Sequence, residues 1–126
     1  MFDNTPEIQG DILCAASSYE AKYYLNPEFE GLPTSIKEEL QIMCVLYTAD
    51  VGGILTLHFD DYGNLLMHVT AQENDLLFDE IGSVLKIKQI QAQKRELLEA
   101  LELYYKATFL HEDISDLLDE RDSDSL

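Results

Sequence analysis

The chain has 126 residues, 46% of them hydrophobic and 10% aromatic, with 25 acidic against 8 basic side chains and a formal net charge of -17. That length suits one domain rather than two full cores, and the apolar content can bury such a core, which excludes disorder throughout. The charge repels phosphate backbones and anionic lipid surfaces, so the expected partners include no nucleic acid and no membrane, whereas a basic protein would be attracted.

No run approaches the roughly 18 to 20 apolar residues of a membrane-spanning helix. The opening MFDNTPEIQGD is acidic where a secretory signal is basic and then apolar, so the expected compartment is the cytoplasm. The only cysteines, Cys14 and Cys44, lie in the apolar runs ILCAA and IMCVLY with no basic neighbour to stabilise a thiolate. Both read as reduced, buried small hydrophobes.

In chain order, the first third mixes β-branched, small, aromatic and turn residues without sustained periodicity, and predicts a short strand or a helix of a few turns before Asn26-Pro27. A loop follows, because Pro27, Gly31 and Pro33 interrupt regular structure. Tyr19, Tyr23 and Tyr24 lack an accompanying basic groove and read as packing residues rather than a stacking platform for bases. A helix over 35–48 is predicted from Ile36, Leu40, Met43 and Tyr47, with Thr34 or Ser35 as a hydroxyl cap. Its run LQIMCVLY is apolar on more than one face, which implies burial on two sides or contact with another chain.

After Gly52-Gly53 the period changes to two. Leu55, Leu57 and Phe59 alternate with Thr56, His58 and Asp60, and Asp61-Tyr62-Gly63 supplies a turn. The predicted hairpin joins strands over 54–60 and 64–70, pairing Asp60 with Asn64 and Phe59 with Leu65. Leu65, Met67 and Val69 then share a face with Leu55, Leu57 and Phe59. Helices are predicted over 75–86 and 86–110, with a break at Gly82-Ser83. The second could run for 20 to 25 residues, or roughly 30 to 37 Å, and cross the whole molecule. The fold class is therefore α+β, a hairpin packed against helices in one domain over 1–110, followed by a flexible acidic tail over 111–126.

No phosphate-cradling glycine loop, nucleophile elbow, paired-cysteine motif or calcium loop occurs, and no cofactor is expected. The hairpin register makes His58 and His68 diagonal neighbours on the polar face, with Asp60 beside them. These three residues are the candidates for an open metal site or an acid–base set. Half of the basic residues, Lys86, Lys88, Lys94 and Arg95, fall within ten positions, and the reading for them is pairing with acidic neighbours or with another copy of the chain.

The segments SYEAKYYLNPEFEGLP, IKEELQIMCVLYTADVGGILTLHFDDYGNL, LLFDEIGSVLKIKQIQ and ELLEALELYY resemble an uncharacterised family of small acidic bacterial proteins over Leu13 to Leu110. The resemblance implies a compact bacterial cytoplasmic protein and brings no site residue with it. The residues themselves favour a non-enzymatic interaction protein, a homodimer or higher homo-oligomer. The expected interface is the long helix, through Leu97, Leu101, Tyr104 and Tyr105. The alternative is an acidic inhibitor or immunity-type protein masking a basic partner, and an enzyme built on the hairpin histidines comes third.

Overall fold

The computed structural model describes residues 10–111, so the expected acidic tail beyond His111 lies outside the described residues. The elements in order are β1 (Ile12–Ser17), β2 (Lys22–Leu25), a 3-10 turn (Pro27–Phe29), α1 (Thr34–Val51), β3 (Ile54–Phe59), β4 (Leu65–Thr70), α2 (Glu80–Gln93) and α3 (Arg95–Thr108). The strands form one antiparallel sheet in the order β2-β1-β3-β4. This is the expected α+β class.

The unpatterned N-terminal third is a hairpin. β1 is a central strand, hydrogen-bonded to β2 on one side and β3 on the other, and from Leu13 to Ser17 every residue is buried. Ala15, which pairs with Thr56 on the far face, is as apolar as Cys14 and Ala16 on the core face, so ILCAAS shows no period of two. Its partner β2 is a short edge strand in which exposure does alternate.

The second hairpin has the predicted register: Leu55 pairs with Val69, Leu57 with Met67 and Phe59 with Leu65. Asp60 N–H donates to the Asn64 carbonyl at 3.0 Å. Gly63 takes a φ of 85°, a left-handed conformation that a side chain would strain. Leu55, Leu57 and Phe59 join Cys14 and Ala16 in a single core cluster with residues of all three helices. The helices therefore cover that face of the sheet.

α1 starts one residue earlier and ends three later than predicted, and no hydroxyl caps it. Pro33 is the cap residue, and its carbonyl accepts from the Ile36 and Lys37 amides, which leaves Thr34 inside the first turn. The C-terminal helices differ more. Residues 75–79 are not helical and hold only a turn at Leu76-Leu77, α2 runs straight through Gly82 and Ser83, and the break falls at Lys94, with φ -109° and ψ 24°. Gly82 serves the N-terminus of α2, where its amide donates to the Asp79 carboxylate at 2.8 Å; a Cβ at this position would collide with that carboxylate. In place of one helix crossing the molecule there are two of 14 residues each, or about 21 Å apiece. The bend lets Ile90 on one and Leu97 and Leu101 on the other enter the same core.

Candidate interaction surface

The stripe expected to be an interface is buried inside the chain. Leu97, Leu101 and Tyr105 are 8% exposed or less, and Tyr104 is half-buried against the core. They sit on an aromatic stack that no local sequence pattern announces. The Phe59 and Tyr105 rings lie 4.1 Å apart and nearly parallel, Tyr105 and Phe109 5.1 Å apart, and Phe29 and Phe109 4.8 Å apart. The Tyr105 hydroxyl donates to the Asp11 carboxylate at 2.7 Å. Burial, followed by that bond, pushes its pKa up to about 12. Glu102 ties α3 to the sheet by accepting the Leu65 amide at 2.8 Å. The uncovered length that pointed to this helix as the interface came from a continuous helix, and the bend at Lys94 removes it.

His58 and His68 lie where the register predicts, opposite Leu66 and Thr56 on the sheet face away from the helices. Their rings meet edge to face at 6.3 Å, and His58 is buried rather than solvent-facing. Asp60 does not join them. One of its oxygens accepts from the Tyr62 and Asn64 amides at 2.9 Å each and the other from the Asn64 side chain at 3.1 Å, so the carboxylate is engaged in the turn. Burial raises its pKa, but the Asn64, Tyr62 and Gly63 hydrogen bonds outweigh this and leave it below the ordinary value. Among the described residues, no group of three or more His, Cys, Asp and Glu is placed to hold a metal ion.

Cys14 and Cys44 are free and fully buried, with sulfurs 3.9 Å apart between β1 and α1. The contact with the Cys14 thiol, and then burial, hold the pKa of Cys44 well above the ordinary thiol value. That environment favours the neutral, unreactive form.

The conspicuous surface lies elsewhere. α2 runs antiparallel to α1 and is bound to it along its length. Tyr47 and Ser83 hydroxyls meet at 2.6 Å, Asp79 N–H donates to the Val51 carbonyl at 3.2 Å, and Lys86–Asp50 and Lys94–Glu39 form ion pairs at 3.3 and 3.1 Å. Two of the four clustered basic residues thus pair with acidic neighbours, as expected. On the solvent side of this helix pair, Ile42, Val45 and Leu46 of α1 and Ile81, Val84 and Leu85 of α2 are between 41% and 76% exposed. Each triplet has the i, i+3, i+4 spacing of a helix face. Just before α2, Leu76 and Leu77 are 94% and 92% exposed.

Beside this surface a cleft of about 850 Å³ opens between the β1–β2 turn, the C-terminal half of α1 and the segment before α2, with Tyr23, Val45, Thr48, Ala49, Val51 and Leu77 among its walls. Val45 and Leu77 belong both to the cleft and to the exposed apolar set.

Fold and surface together define an α+β protein with three helices on one face of a four-stranded antiparallel sheet and an open apolar face on two of those helices. The chain belongs to the family of unknown function DUF6145, whose profile matches residues 10–113. No curated protein and no solved structure matches it.

Proposed function

We propose that this chain is a non-enzymatic, self-associating protein that pairs with a second copy through the outer face of α1 and α2. The observation that carries the reading is the open apolar face itself. The six helix residues and the adjoining Leu76 and Leu77 together expose on the order of 1,000 Å², where the surface apolar residues of an ordinary monomer are scattered singly. A standard interface takes about 800 Å² from each partner. Burying such surface is favourable at about 25 cal/mol per Å² before the roughly 4–15 kcal/mol of association freedom and the ordering of interface side chains are subtracted.

The charge of this face does not oppose a second copy as the occupant. Leu40 to Ala49 is an unbroken run of ten uncharged residues in a chain with 33 charged ones, so two copies meeting here bring no charge of that run together. The remaining repulsion between two chains of -17 is screened with a Debye length of about 8 Å at physiological salt. We place the pair in the bacterial cytoplasm, where reducing conditions keep Cys14 and Cys44 as thiols.

Sedimentation equilibrium over a micromolar range tests the reading. The expected average mass rises from 14.4 kDa towards twice that value, holds or rises further as salt is increased, and falls back for Leu46→Asp. A single species at 14.4 kDa at every concentration would reject the pairing.

A further inference from the structure

The two most exposed leucines of the described chain are held in place. Asp75 accepts the Leu77 amide at 3.0 Å on one carboxylate oxygen and the Tyr19 hydroxyl at 2.5 Å on the other, while the Tyr19 oxygen accepts from the Gln72 amide at 2.9 Å. Asn74 turns the chain with a φ of 68°. This framework ties the segment to the β1–β2 turn and displays Leu76 and Leu77 to solvent at 94% and 92%. Leu77 forms part of the wall of the neighbouring cleft, and Leu76 does not.

The cleft and the exposed apolar set share Val45 and Leu77, so a partner seated over that end of the face reaches the mouth of the cleft. Interfaces pack as densely as protein interiors, with few voids larger than a water molecule. A space of about 850 Å³ therefore takes up side chains or ordered water when it is covered. In a two-fold pair each copy presents the same patch, so a knob beside a hole on one chain meets a hole and a knob on the other. Of the charged residues lining the cleft, Asp50 pairs with Lys86, Asp75 holds the Tyr19 hydroxyl, and Lys22 is exposed.

We propose that Leu76 of each copy enters the apolar cleft of the other and anchors the pair. This rests on the pairing through α1 and α2 and adds to it the side chain that locks the two chains. Mixing Leu76→Cys separately with Val45→Cys and with Ala49→Cys under mild oxidation tests it. Cys14 and Cys44 are fully buried, which leaves the reaction to the introduced thiols. The expected product is a covalent pair of unlike chains from at least one mixture, absent when each variant is oxidised alone. As a second readout, Leu76→Asn raises the dissociation constant of the pair by about tenfold or more. Leu66→Asn, a half-exposed leucine on the far sheet face, leaves it unchanged. If the protein sediments as a dimer but neither mixture links, or Leu76→Cys links to itself, or Leu76→Asn pairs like wild type, the anchor is wrong and the pairing stands. A monomer at every concentration removes both.

Discussion

α3 and the α1–α2 layer dispose of their apolar residues in opposite ways. α3 is sharply two-sided: Leu97, Leu101 and Tyr105 enter the core, while Glu96 and Glu99 face solvent. Its stripe is matched by Phe29, Phe59 and Phe109 and is satisfied within the chain. α1 buries Leu40, Met43, Cys44 and Tyr47 and still has Ile42, Val45 and Leu46 left over on the outside; α2 buries only Ser83 and Ile90 and leaves three aliphatic residues exposed. A strongly one-sided helix is evidence of a face that the fold already uses. A helix apolar on several sides carries the surplus from which an interface can be built.

The sharpest way to break this comparison is to damage the satisfied stripe. Leu101→Ala removes a fully enclosed side chain and should lower folding stability by about 3 kcal/mol, within the roughly 2–5 kcal/mol range for such cavities, as read by urea unfolding below the concentration at which the chains pair. A loss under about 1 kcal/mol would mean that α3 is not seated as described.

The same comparison predicts the reverse behaviour on α1. Ile42→Asp places a charge on a residue that is 59% exposed, so stability of the single chain should change by less than about 1 kcal/mol. The dissociation constant of the pair should rise by about tenfold or more. Unfolding without loss of pairing would exchange the roles of the two regions.

Alkaline titration sharpens the account of α3. The folded pKa of Tyr105, about 12, lies above the ordinary 10, so in this interval the unfolded chain has released the proton and the native chain still holds it. The contribution is complete below about pH 10 and is lost as pH rises towards 12. Tyr105→Phe should flatten the fall of stability over that interval, measured by unfolding at several pH values; an unchanged slope would remove Tyr105 as a cause. The smallest effect is expected from Lys86→Ala. Its ion pair with Asp50 is partly exposed, and its loss should cost at most about 0.5 kcal/mol by urea unfolding.

The second hairpin was legible in the sequence down to its register, because strict alternation and Gly63 in the turn select the same pairing. The first hairpin was not, since β1 is apolar on both faces from Ile12 to Ala16 and so carries no alternation to read. The break at Lys94 lies in QAQKRE, where neither glycine nor proline marks it; it answers to the requirement that Ile90 and Leu101 reach one core, a tertiary demand that overrides local propensity. Gly82 misled in the other direction, as a helix breaker that the Asp79 cap turns into part of a helix start. The double-faced apolar run of α1 was already visible as a sign of burial on two sides or of contact with another chain. The long continuous helix drew the interface to Leu97, Leu101, Tyr104 and Tyr105 instead, and the aromatic stack that buries them comes from positions too far apart in sequence to be recognised together.

The central claim, that the outer face of α1 and α2 is where two copies meet, is tested most directly by following methyl resonances in nuclear magnetic resonance spectra as the protein is diluted. The account predicts concentration-dependent shifts at Ile42, Val45, Leu46, Ile81, Val84 and Leu85, with the Leu97 and Leu101 methyls constant. Shifts confined to α3 or to the far sheet face, or spectra that do not change with concentration while the mass stays at 14.4 kDa, would contradict it.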